Sequence, residues 1–108
     1  MKKFSLFFAL MLISTSLSAN DLCAKYENSP RYVKALTTVA EFQTLSLEDF
    51  CHHPLVLDIE VQPSRIINVK GEVIPHVRVE QHKNYGSCFY MVNELDYSIS
   101  NAECYSGM

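Results

Sequence analysis

From Leu55 to Asn101 apolar and polar residues alternate in short runs. Leu57, Ile59 and Val61 fall on one side of the first run and Asp58, Glu60 and Gln62 on the other, a two-residue period that marks a half-buried antiparallel strand. Pro63 is expected to end that strand, because proline donates nothing to a ladder. Arg65 to Val69 is a second run rich in β-branched residues, and Lys70-Gly71-Glu72 places glycine where a tight turn needs positive φ. Val73-Ile74 leads into Pro75, which predicts an edge position or a bulge. His76 to His82 resumes the alternation, with Val77 and Val79 inward and His76, Arg78, Glu80 and His82 toward water. Asn84-Tyr85-Gly86 is a further turn signal. Cys88 to Val92 and Leu95 to Ile99 then form a last predicted hairpin about Asn93-Glu94. These runs make four to five strands of one antiparallel sheet.

Upstream the period changes. Ser29-Pro30 is a helix start, a capping serine before a proline at the first helical place. Tyr32, Val33, Leu36, Val39 and Ala40 follow at three- and four-residue spacing, with Arg31, Lys34, Thr37, Thr38 and Glu41 outside the stripe. A second short turn is predicted from Ser46, in a variant of the capping box, to about His53, before Pro54. The fold class is therefore α+β: an N-terminal helix, plus a short second helical turn, packed on a four- to five-stranded antiparallel sheet. This element order is similar to that of cystatin-like folds. None of that family's binding motifs is present, so the resemblance implies an architecture and no function.

The first residues read differently. Lys2-Lys3, an apolar run from Phe4 to Ile13 broken only by Ser5, and a small, mostly polar stretch from Ser14 to Ala19 follow the pattern of a secretory signal peptide. Cleavage after Ala19 places Leu17 and Ala19 at the −3 and −1 positions, and a cut after Ser18 is the alternative. The apolar run falls short of the about 20 residues that span a bilayer, so stable membrane insertion is not expected. Residues 1–19 are thus read as a removed export signal and 20–108 as one small domain, with the periplasm or the medium as its location. Removing 19 of 108 residues takes Lys+Arg from 9 to 7 against 12 Asp+Glu, a net charge of −5. That argues against nucleic acid, whose binding displaces counterions with lysine and arginine, and is compatible with a cationic protein partner.

Cys23, Cys51, Cys88 and Cys104 all lie in the domain, and an even count in a short exported chain predicts two disulfides. Cys23–Cys51 with Cys88–Cys104 is the preferred pairing, tying the helical half to itself and the last strands together. A tight turn at Asn93-Glu94 would set Cys88 nearer residue 99 than Cys104. The second bridge therefore needs a bulge or a bend, and crossed pairings stay open. No CxxC spacing supports a redox role.

Chemistry-bearing residues are sparse. His52, His53, His76 and His82 would bind a metal only if they converged, since neighbours point apart and His76 and His82 stand roughly 20 Å apart along one strand. Cys51 beside His52 and His53 is committed to a bridge and is no nucleophile. Asp58 and Glu60 share a strand face, a common arrangement on any wet strand. No phosphate-binding glycine loop exists among Gly71, Gly86 and Gly107. Six tyrosines without tryptophan are compatible with an interface. The turns at Lys83, Asn84 and Tyr85 and at Asn93 and Glu94 are the expected contact points, and an edge strand is a further place for a partner strand. The expected function is a small exported, non-enzymatic binding protein without cofactor, of an inhibitor or immunity type, against a cell-wall hydrolase or a toxin. The alternatives are a periplasmic metal-binding protein using its histidines and a small secreted enzyme or toxin.

Overall fold

The computed structural model describes residues 21–106, so the predicted export signal and its cleavage point lie outside the described residues. A 3-10 turn at Ala24–Tyr26 precedes α1 (Pro30–Phe42) and α2 (Leu47–Cys51). The strands β1 (Val56–Ile67), β2 (Val73–Lys83), β3 (Gly86–Asn93) and β4 (Ile99–Ser106) follow. They form one antiparallel sheet in the order β1-β2-β3-β4. The disulfides are Cys23–Cys51 and Cys88–Cys104.

Both helices start at serines whose hydroxyls accept a backbone N–H: Ser29 from Tyr32 at 3.3 Å and Ser46 from Asp49 at 3.1 Å. Helix α1 buries Ala35, Leu36, Val39 and Ala40. These join Phe50 of α2, Ile59 of β1, Val77 and Val79 of β2 and Val92 of β3 in one apolar cluster. Gln43 adds a polar link. Its Nε2 donates to Gln81 Oε1 at 2.7 Å and to Tyr90 Oη at 2.6 Å, which satisfies two buried strand residues.

The end of α1 is a Schellman turn, with Leu45 N–H on Ala40 O and Thr44 N–H on Glu41 O, each at 2.9 Å. The left-handed place belongs to Thr44, at φ 62°, a β-branched residue in a conformation that favours glycine. Thr44 is exposed, so its side chain contributes little packing. Thr44→Gly is expected to stabilise the fold by about 1 kcal/mol, read as a higher urea midpoint. A lower midpoint would mean that the threonine stabilises by a route other than the backbone.

The strands depart from the sequence expectation in five places. First, there are four strands, because β1 runs through Pro63 to Ile67 rather than stopping there. Ile59 N–H bonds Asp58 Oδ1 and Val61 N–H bonds Tyr26 Oη, both at 2.9 Å, so this parity of residues points its donors away from β2. Pro63 shares that parity on the sheet edge and surrenders a donor the ladder never used. Second, Leu57 faces out, 58% exposed, with Val56 buried instead. The register passes from Val56↔Lys83 to Asp58↔His82, so Leu57 is the extra residue of a bulge that resets the alternation.

Third, Pro75 sits in β2, an inner strand, just beyond the last β2–β3 pair, His76↔Asn93, where its missing N–H breaks no ladder bond to β3 while its carbonyl accepts Glu94 N–H at 3.0 Å. Fourth, His76 is 1% exposed rather than wet, with Nδ1 2.9 Å from Ile74 O and Nε2 2.8 Å from Ser100 Oγ. The face assigned to water is partly roofed by its own side chains. Phe89 and Met91 are buried there, Arg78 lies over the Phe89 ring at 4.1 Å, and Tyr105 stacks on Phe89 at 5.6 Å. Fifth, β4 begins at Ile99, not Leu95. Asn93 to Ser98 forms a wider connection closed by Asn93 N–H on Ser98 O (2.8 Å) and Tyr97 N–H on Asn93 O (2.7 Å). That longer turn brings Cys104 directly opposite Cys88.

Candidate binding site

The register leaves β1 and β2 longer than their neighbours. From Arg65↔Pro75 to Ile67↔Val73 the ribbon has only two strands, and its outer end carries no third strand. Asn68 builds the turn. Its Oδ1 accepts from Lys70 N and Glu72 N, both at 2.9 Å, and its Nδ2 donates to Glu72 Oε1 at 2.7 Å. Asn68 and Glu72 also close the backbone at 3.0 Å, with Gly71 supplying φ 83°. A turn held this way presents its side chains in one geometry.

Those side chains are apolar. Ile67 is 63% exposed, Val73 59% and Val69 103%. Ile67 and Val73 are a directly opposed pair and share strand parity with the buried Ile59, Val61, Val77 and Val79. They therefore continue the apolar face of the sheet into solvent. Three exposed aliphatics thus lie together on one protruding, hydrogen-bonded turn.

The turn residues expected to bind lie at two places. Asn84 and Tyr85 form the β2–β3 turn, with Tyr85 58% exposed, and Lys83 ends β2. Lys83 and Tyr85 line a shallow hollow of about 250 Å³ beside Cys88–Cys104 and Tyr105. The Tyr105 hydroxyl donates to Glu103 Oε1 at 3.0 Å, which holds the phenol above its ordinary value of 10.0. Asn93 and Glu94 stand at the other end of β3 and are engaged in holding the fold. Asn93 Oδ1 caps Leu95 N–H at 2.8 Å. Glu94 takes a forked pair of hydrogen bonds from Arg31 of α1, at 2.5 and 2.8 Å, which raises the guanidinium's already high pKa. The two turns thus do not form one surface.

The histidines are also dispersed. His53 Nδ1 accepts Leu55 N–H at 3.1 Å, His76 is buried as described, and His52 lies against the Glu48 carbonyl. Among the described residues only His82 falls in a group with ligand atoms close enough for a metal and able to bind one, together with Glu60 and Glu80. There His82 Nε2 meets Glu60 Oε1 at 2.6 Å, and Arg78 approaches Glu80 at 3.5 Å, so each carboxylate has a basic neighbour. The other group contains Cys23 and Cys51, whose sulfurs are in a bridge.

A cavity of about 550 Å³ opens between the 3-10 turn, α1 and α2, beside the Cys23–Cys51 bridge. Comparison with protein-family models, with curated proteins and with solved structures gives no match. Function must therefore be argued from the geometry.

Proposed function

We propose that this is an exported, non-enzymatic binding protein of the inhibitor or immunity type, in which α1 lies over one face of the sheet. The β1–β2 arm enters an apolar groove of a protein partner. The observation that carries the reading is the stiff overhanging turn with Ile67, Val69 and Val73 exposed. A pre-formed turn reduces the ordering cost of association, and each aliphatic buried contributes roughly 1.5–3 kcal/mol. The net charge of −5 on residues 20–108 favours a cationic partner by speeding encounter. Two disulfides fit an oxidising compartment, and among the described residues no helix is long and apolar enough to cross a membrane.

The test is capture of a partner by the tagged, exported protein under non-reducing conditions, followed by affinity measurement. Val69→Asp and Ile67→Asp should each weaken the complex about 10- to 100-fold with an unchanged unfolding midpoint, while Glu41→Gln on the exposed side of α1 should leave it intact. A partner that binds all three variants alike would remove the arm from the interface. A capture without any stoichiometric partner would sink the binding reading itself.

A further inference from the structure

The two bridges differ in what surrounds them. Cys23 and Cys51 are both buried, whereas the buried Cys88 is joined to an exposed Cys104 on the edge strand β4. Each bridge borders a hollow. The one beside Cys23–Cys51 is lined by Asp21, Glu27 and Glu48 and by no lysine or arginine. The one beside Cys88–Cys104 is lined by Lys83, Tyr85 and Tyr105 and by no carboxylate. Strand parity explains the lysine. Gln81 pairs with Cys88 and Lys83 with Gly86, so Lys83 shares the sheet face of Cys88 and of its partner Cys104. Among the described residues Lys83 takes part in no ion pair. Glu103, next to Cys104 in the chain, has the opposite parity and accepts from the Tyr105 hydroxyl. The ladder also holds β4 without the bridge, since Ser87↔Tyr105 and Phe89↔Glu103 flank it on either side.

We propose that Cys88–Cys104 is an exchange site for a small thiol, modified at Cys104 while the domain stays folded. The attacking species is the thiolate, an anion, and it reaches Cys104 Sγ from the hollow that Lys83 lines. The bond between the two bridge sulfurs breaks as the bond between Cys104 Sγ and the incoming sulfur forms. Cys88 leaves as a thiolate on the face that carries Lys83, and takes up the proton that the incoming thiol released. One disulfide replaces another, so the step needs no further oxidant or reductant. A hollow of about 250 Å³ suits a small thiol rather than a protein one. Cys23–Cys51 is the internal comparison, shielded by burial and by three carboxylates that repel a thiolate. The site is independent of the arm, and either can fail without the other.

The test treats the intact, doubly bridged protein with glutathione under native conditions. Samples are quenched with acid at successive times, free thiols are blocked with a maleimide, and peptides are identified by mass. Cys88–Cys104 should open at least about tenfold faster than Cys23–Cys51, with the first glutathione adducts on Cys104. Backbone amide shifts outside β3 and β4 should stay in place. The opening rate should also be flat in urea below the unfolding transition, as a reaction of the folded state requires. Lys83→Gln should slow opening about threefold at low ionic strength and less at high, a salt response that a change in packing would not produce. Equal rates at the two bridges, first adducts on Cys88, or opening only where urea unfolds the domain would each overturn the proposal. A Lys83→Gln rate equal to that of the unaltered protein would overturn the part assigned to Lys83.

Discussion

Phe50→Ala should lower the unfolding free energy by about 3–5 kcal/mol, among the largest losses for any single side chain here. Phe50 has no exposed surface and heads the largest fully buried side chains. It belongs to α2, five residues long, and a helix that short has no stability of its own. What holds α2 is the burial of this ring, the Ser46 cap and the bridge at Cys51. Domains of this size have roughly 5–15 kcal/mol in total, so the variant would stand near the edge of folding. Phe42 is the internal control: 56% exposed at the end of α1, in edge contact with Tyr90 at 5.9 Å, it should cost about 1 kcal/mol when truncated. Urea midpoints at constant slope compare the two. A Phe50 loss as small as that of Phe42 would show that the α2 region is not part of the cooperative core.

The α+β class, the capped starts of both helices and the disulfide pairing were legible because each depends on local signals. Ser29-Pro30 and Ser46 announce their caps within four residues, and Leu36, Val39 and Ala40 state their face by spacing. The failures concern register. Leu57 is as apolar as Ile59, and only the pairing of Val56 with Lys83 reveals that a residue has been inserted. Pro63 reads as a stop unless the direction of its missing N–H is known, and that direction follows from Tyr26 bonding Val61 from outside the sheet. His76 is solvent-facing by alternation, but it is buried with its ring nitrogens against Ile74 O and Ser100 Oγ, the latter a β4 residue whose position alternation does not give.

The arm is the same problem at larger scale. Arg65–Val69 and Val73-Ile74 were recognised as apolar runs about a glycine turn, yet their overhang depends on where β3 ends relative to β2. The cavity beside Cys23–Cys51 was hidden for a different reason. Glu27, Glu48 and Asp21 are ordinary surface residues in the chain, and the Cys23–Cys51 bridge is what draws their segments together.

That bridge gives the second large effect. Cys23–Cys51 closes a separation of 28 residues and Cys88–Cys104 one of 16. Loop-closure entropy assigns them about 3.5 and about 3 kcal/mol, so Cys23→Ala/Cys51→Ala should be the more costly pair of substitutions. The surroundings widen the gap. Cys23 and Cys51 are both buried and cross-link α2 to the N-terminal turn, which otherwise depends on Leu22 N–H on Cys51 O at 2.9 Å and on Tyr26. Cys104 is exposed on an edge strand that the β3 ladder already restrains. The two double variants should therefore differ clearly in their unfolding midpoints. Loss of Cys23–Cys51 should give the larger drop, because it frees α2 and the 3-10 turn from each other. Loss of Cys88–Cys104 should give the smaller one, because the β3–β4 ladder remains. Calorimetry of both variants distinguishes them. If both unfolded at the same midpoint, the 3-10 turn would be held by the Leu22 and Tyr26 contacts rather than by its bridge.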